Sequence, residues 1–297
     1  MAEQALPQVG TLSFSNRRGY ISKLGRIAAR KPLGTLAIAI VASLWILSFL
    51  APVLAPYNWN ELFVGPKLQG PSSDHLFGTD FYGGDVFSRV LYGGRVTLMT
   101  SLLASVMSML IATVVGCASG FLGGKLDLIV QRVSDALQAL PNLVVLLVVT
   151  ALFASDRFML IFFIALLTAP APARVLRSHV LSLRSLPYVE AATSIGCSNF
   201  RILYRHILPN TAHLIIVLFT GGLGVSMLIV TTLAFLGVIG SQTPDWGGML
   251  NISSQQYFVI APWTAIFPGG AITLAVLGYN LAGDALRDLL DPRLRGA

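Results

Sequence analysis

Charge is the first scarcity in this chain. Of 297 residues only 11% are Asp, Glu, Lys or Arg, while 55% are hydrophobic and the mean hydropathy is +0.74. A soluble domain carries about 25% charged residues, so a water-soluble globular fold is excluded and an integral membrane protein is implied. Acids are scarcer still within the apolar stretches. Asp127, Asp135, Asp156 and Asp284 are expected at segment ends or in loops, and Glu190 in a polar segment. Proton- or sodium-coupled carriers need intramembrane carboxylates or similarly paired polar sites; any uphill transport must therefore draw its energy from a partner. Two cysteines, Cys117 and Cys197, fall in unlike segments and imply no disulfide framework. Four histidines, His75, His179, His206 and His213, are scattered without metal-ligand spacing, and no Ser, His and acid arrangement suggests a hydrolase. A nucleotide-binding loop is missing as well. In "GGKL" (Gly123 to Leu126) a leucine stands where a magnesium-binding Ser or Thr would be needed, and the upstream glycine spacing fails. These absences predict a chain with no catalytic residue, no metal site and no cofactor of its own.

What is abundant is long apolar runs. Six windows reach or approach the roughly 20 residues that a spanning helix needs: Leu33 to Ala55, Val96 to Phe121, Leu137 to Ala154, Phe158 to Ala173, Ala212 to Ile239 and Ala261 to Leu281. Continuous runs of this kind predict an all-α bundle and not an outer-membrane barrel. With the N-terminus in the cytoplasm, sixteen Lys and Arg fall inside and only Lys67, Arg89, Arg95 and Arg157 outside, which predicts both termini cytoplasmic. The net charge of +7 is thereby read as topology, not as nucleic-acid binding. The first window lacks a small-residue cleavage site and reads as a retained span, not a signal peptide. The organisation that follows is a basic cytoplasmic tail over residues 1–32, a first span over 33–55 and an extracytoplasmic loop over 56–95. A five-span core over 96–283 contains a cytoplasmic loop at 181–210, and 284–297 forms a second cytoplasmic tail.

The first external segment is dense in Gly, Pro and Asp, with "DVFSRVLY" helix-like and amphipathic; a second, "GSQTPDWGGMLNISSQQYFVI", joins the fifth and sixth windows. Gly116, Gly120 and Gly124 recur every four residues and place small surfaces on one helix face, as dense packing within a bundle requires.

The most informative stretch is polar: "SLPYVEAATSIGCSNFRILYRHILPN", Ser185 to Asn210. Leu186-Pro187 begins a helix with Glu190 in its first turn. Gly196 stops it, and Ser198 or Asn199 caps a second helix that is expected to end before Pro209. Along that second helix Phe200, Ile202, Leu203, Ile207 and Leu208 form an apolar side, and Arg201, Arg205 and His206 a cationic one. So much apolar surface outside the bilayer reads as a docking knob.

Glu190-Ala191-Ala192, Gly196 and Leu208-Pro209, in this spacing, resemble the EAA loop of ABC-importer permeases. "RHILPN", with His206 where the general pattern has Ile, is similar to the peptide-permease branch. "LFGTDFYGGDVFSRVLYGGRVTL", "FLGVIGSQTPDWGGML" and "APWTAIFPGGAITLAVLGYNLAGDALRDLLDPRLR" resemble segments of the C-type subunit of the dipeptide, oligopeptide and nickel group. Gly84 departs from that pattern, which usually has Arg there.

The resemblance implies a six-span type I (MetI-like) permease fold in the cytoplasmic membrane of a bacterium or archaeon. It implies one permease of a pore shared with a homologous B-type permease, two ATPases that use ATP and Mg, an extracytoplasmic substrate-binding protein and surrounding lipid. Tyr188, Glu190, Ala191, Ala192, Gly196, Arg205, His206, Leu208 and Pro209 are the implied ATPase-coupling residues. Asp80, Asp85, Arg89, Arg95, Asp245 and Trp246 are the implied binding-protein face. Di- or oligopeptides are the implied cargo. Import of nickel complexes, glutathione-like peptides or opines by the same machinery, an ATP-independent carrier and a membrane scaffold stay open as alternatives.

Overall fold

The computed structural model describes residues 32–153, 156–238 and 243–290, and these are helical apart from turns and one external loop layer. In chain order the helices are α1 Pro32–Phe49, α2 Ala51–Leu54, α3 Val86–Leu122, α4 Gly124–Ala139, α5 Asn142–Phe153, α6 Arg157–Thr168 and α7 Pro170–Arg184. After these come α8 Pro187–Ser194, α9 Asn199–Ile202, α10 Leu208–Phe235, α11 Trp246–Gln256 and α12 Trp263–Leu290, with a π turn at Leu203–Ile207 joining α9 to α10. Four helical stretches are individually long and apolar enough to cross a membrane: α1, α3, Asn199–Phe235 and α12. Two bent pairs, α4 with α5 (84°) and α6 with α7 (45°), bring the candidates to six if each pair is one span.

Prolines set the bends. Leu140 is extended (ψ 139) before Pro141, as the ring of a following proline demands, and so the helix expected to run unbroken from Leu137 to Ala154 is two helices. The exposed apolar side chains of Leu128, Ile129 and Val133 alternate along α4 with Asp127, Arg132 and Asp135, giving an amphipathic helix turned away from α5. Asp135 therefore lies within a helix and not in a loop, and Asp284 likewise lies inside α12. Pro170 opens α7, which continues to Arg184, well past the expected end at Ala173.

Pro209 does not end a helix, contrary to expectation. The Leu208 N–H bonds to the Leu203 carbonyl, five residues back, and the wider π turn accommodates the proline ring and its missing donor one turn earlier. The Asn210 side-chain amide donates to the His206 carbonyl at 2.6 Å.

The helix α3 is the spine. It starts at Val86, ten residues before the expected edge of the span, because Asp85 caps it: one carboxylate oxygen accepts from Ser88 N at 2.8 Å and Ser88 Oγ at 2.7 Å, the other meets His75 Nδ1 at 3.0 Å. Near its outer end Gly93 and Gly94 leave room for Trp246, 1% exposed, whose indole N–H donates to the Val90 carbonyl at 2.8 Å. Outer-layer aromatics tie the remaining helices on: Trp45 donates to Tyr279 Oη at 2.9 Å, Trp263 to the Thr79 carbonyl at 3.1 Å, and Phe77 stacks on Phe267 at 3.7 Å.

At its inner end α3 meets α7. A Cβ on Gly116 would sit 2.5 Å from the Ala173 carbonyl oxygen, and one on Gly120 2.7 Å from that of Arg177. Two of the three spaced glycines thus serve helix contact within the bundle. Gly124 does not; it begins α4 at φ +61 with nothing near its absent side chain. Hydroxyls within the spans are satisfied locally: Thr100, Thr150, Thr211 and Thr231 donate to carbonyls four residues back at 2.8–2.9 Å.

Gly120→Val should overpack this contact and cost about 1–3 kcal/mol, lowering the thermal unfolding midpoint of the purified protein in detergent. Gly270→Ala, a helical position with open space around it, should be neutral or slightly stabilising. Equal midpoints for the two variants would remove the close α3–α7 contact from the account.

Candidate coupling site and transport surfaces

The polar segment folds as a rooted knob. Pro187 occupies the first turn of α8, where its missing N–H costs nothing, and Glu190 sits in the same turn, where its charge suits the helix dipole. The helix ends in a Schellman arrangement: Cys197 N–H to the Ala192 carbonyl at 3.1 Å and Gly196 N–H to that of Thr193 at 3.0 Å, with Gly196 at φ +82. Ser198 then caps α9, accepting from Arg201 N. Val189, Ala192, Ile202 and Ile207 are buried and pack with Cys117 and Phe121 of α3 and Val180 of α7.

The two sides of the knob differ from expectation. Most of the apolar side, Ile202 and Ile207 above all, faces the bundle and not outward. The outward apolar surface is instead Ile195 (81% exposed), Phe200 (77%) and Tyr204 (67%), with the rings of Phe200 and Tyr204 nearly parallel at 6.4 Å. Aromatic residues at i and i+4 in a polar segment were the available signal for Tyr204. Among the expected coupling residues, Tyr188, Glu190, Ala191, Gly196, Arg205 and Pro209 are exposed, and His206 and Leu208 are half-buried. Ala192 is buried, so its small size serves contact with its own bundle. A cleft of about 570 Å³ beside α8 is lined by Arg184, Glu190, Thr193 and Asn199 among others.

Two ion pairs join α7, which leads into this knob, to α4. Arg177 meets Asp127 through two 2.5 Å bonds, and Arg174 meets Asp135 at 2.8 Å. Ser119 of α3 adds a third bond to Asp127 at 2.5 Å. The fold also brings the rings of His179 and His213 to 5.5 Å, although among the described residues no third potential metal ligand joins them.

Near the Val86 end of α3 the residues expected on the binding-protein face separate into two sets. Asp80 accepts from Tyr82 N at 2.8 Å and Gly84 N at 2.9 Å, and forms an ion pair with Arg89. Gly84 leaves the space that the Arg89 guanidinium fills, since a Cβ there would lie 2.9 Å from it. Arg89 and Asp245 line one cavity of about 450 Å³ together with Trp59 and Asn60. Asp245 also caps α11 through Gly248 N at 2.8 Å, and burial pushes its carboxyl above the usual range. Arg95 is exposed, its guanidinium 5.5 Å over the Phe49 ring. Asp85 and Trp246 are buried, at 3% and 1% exposure. Their place on the binding-protein face is withdrawn: one caps α3 and the other fills the gap over its glycines.

The family model for the binding-protein-dependent transport system inner membrane component matches residues 95–296. The chain belongs to this family. Over 268 residues it is 37% identical to the dipeptide transport system permease protein of Alkalihalophilus pseudofirmus, covering 90% of this chain and 88% of the relative. Over 266 residues it is 40% identical to the glutathione transport system permease protein of Pectobacterium atrosepticum, covering 87% and 88%. An Escherichia coli glutathione transport system permease protein is 39% identical over 270 residues, covering 90% and 88%. As an inner membrane component this permease has no catalytic activity of its own, and the systems of its family pair such a subunit with an ATPase and a substrate-binding protein.

Asp127→Asn should weaken the link between α4 and α7 by about 1–2 kcal/mol, seen as a lower unfolding midpoint in detergent. An unchanged midpoint in Asp127→Asn would remove this link from the account.

Proposed function

We propose that this permease is one pore-forming half of an ATP-driven, binding-protein-dependent importer of di- or oligopeptides, glutathione-like peptides included. The relatives whose names carry dipeptide and glutathione transport support the cargo class. In this reading the chain crosses the membrane six times, the bent pairs α4–α5 and α6–α7 each counting once. Both termini lie in the cytoplasm, as the distribution of Lys and Arg favours. A homologous permease completes the pore in the cytoplasmic membrane of a bacterium, and two ATPases with ATP and Mg bind from below.

The observation that carries the reading is the rooted knob. Ile195, Phe200, Tyr204 and Tyr188 offer an aromatic surface ringed by Arg201, Arg205 and Glu190, a composition suited to a protein cleft. ATP-driven closure of the ATPase pair would draw the knob inward. Because α8 to α10 share a core with α3 and α7, the pull would be delivered to the spans and not absorbed by a soft loop. On the outer side Asp80, Arg89, Arg95 and Asp245 remain as the polar groups that a binding protein would meet.

The deciding experiment is ATP hydrolysis by this permease assembled in lipid with a homologous permease and ATPases from the same organism, with and without binding protein loaded from a peptide library. Stimulation by a loaded binding protein is expected, and failure of any ATPase to co-purify would return the scaffold or carrier reading. Gly196→Asp, which puts a side chain at φ +82, should leave membrane insertion intact yet abolish uptake and stimulated hydrolysis; normal uptake by this variant would sink the coupling role.

A further inference from the structure

Between α3, α6, α7 and α10 lies an open cavity of about 440 Å³ that none of the packing above explains. Its wall is largely apolar, interrupted by hydroxyls. Four hydroxyls reach it from three helices: Ser105 and Ser108 of α3, Thr168 of α6 and Ser226 of α10. Thr168 and Ser108 are joined at 2.9 Å, and Thr168 also reaches the Ile164 carbonyl at 2.7 Å. The break between α6 and α7 adds an acceptor beside them. Pro172 has no N–H, so the helix donor to the Thr168 carbonyl is absent, and both residues stand in the cavity wall.

Across the cavity α10 presents Gly221 and Gly222. A Cβ on Gly222 would lie 3.3 Å from Ser105 Oγ, and one on Gly221 would meet nothing within 4 Å. The backbone of Gly221 lies near Gly283 of α12, but the space its own side chain would take is open, unlike that at Gly116 and Gly120, although glycine inside a helix costs about 1 kcal/mol against alanine. Donorless carbonyls and glycine-opened helices at this depth are tolerated where they are buried in protein or line a water-filled space, and such interruptions mark substrate sites in other transporters.

The lining residues include no charged side chain. Nothing there would hold a bare cation or an anion tightly. Hydroxyls and a free carbonyl do match the N–H and C=O groups of peptide bonds, and the apolar remainder accepts varied side chains without selecting one. We propose that this cavity is the permease's share of the cargo passage and takes the backbone of a translocating peptide. Ser105, Ser108, Thr168 and Ser226 engage its amide groups, and Gly221 and Gly222 set the width. Contacts of this kind are weak enough to release what they bind, as passage requires. The inference rests on the importer reading.

The test uses the complete assembly in proteoliposomes with radiolabelled glycyl-leucine and glutathione. Gly221→Leu should cut ATP-driven uptake at least tenfold while hydrolysis stimulated by loaded binding protein stays within about threefold of wild type. Val114→Phe, on a strongly exposed part of α3 outside the cavity, should import normally. In a Cys197→Ser background, the thiol of a Gly221→Cys variant should react with a charged, membrane-impermeant methanethiosulfonate, and cargo under turnover should slow that reaction. Normal uptake by Gly221→Leu would overturn the assignment. So would a Gly221→Cys thiol reached only by lipid-soluble maleimides, which would make the cavity a lipid groove, or one reached by no reagent, which would place it against the second permease. Absence of ATP-driven uptake by the unsubstituted assembly would instead overturn the importer reading, and the passage with it.

Discussion

Two backbones touch where Gly116 and Gly120 of α3 face the carbonyls of Ala173 and Arg177 in α7, and the rest of the structure is arranged about that contact. Apolar side chains gain nothing by leaving lipid for one another, so helices in a membrane associate through close packing and hydrogen bonds. Missing side chains at two successive turns let α3 and α7 approach closely enough for this to succeed. The contact fixes the direction in which α7 leaves the membrane, and with it where α8 and the knob are held. The ion pairs from Arg174 and Arg177 then attach α4 to the same face of α7. A single tight seam therefore connects the spine, α4 and the exposed knob.

At the opposite end the spine is anchored by a different chemistry. The external layer has little regular structure, yet Asp85 closes the N-terminus of α3 and binds His75, while Trp246 and Trp263 plug the gaps left by glycines. Because α3 runs without a break from that cap to the seam with α7, displacement at either end is carried along one rigid rod.

Much of this was legible in the residues, and what escaped has identifiable causes. The apolar runs located the spanning material, since hydrophobic length is a bulk property that neighbours do not alter. The turn at Gly196 was legible because only a left-handed residue closes α8 in that way. The division of the third window was not, because a proline such as Pro141 can kink a span or split it, and tertiary context decides which. Pro209 misled in the opposite direction: its rule forbids an α-helical donor but says nothing of a π turn upstream. The family resemblance implied Asp85 and Trp246 on a surface, and a carboxylate and an indole beside glycines fit an exposed loop as well as a buried cap. Only the fold shows that the glycines make room for the ring. The cavity hydroxyls were invisible for a related reason, as serines on three separate helices share no sequence spacing.

The π turn at Leu203–Ile207 has a geometric consequence. Each residue of an α-helix advances the chain by about 100°, so the extra residue held in that turn offsets the azimuth of Phe200 and Tyr204 from that of the span below by roughly one such step. Deleting one residue there would restore regular bonding and leave the side chains of α10 in place, yet swing the aromatic pair a quarter-turn or more around the helix axis. The turn is in effect a vernier: it lets the aim of the knob and the packing of α10 be set independently of each other.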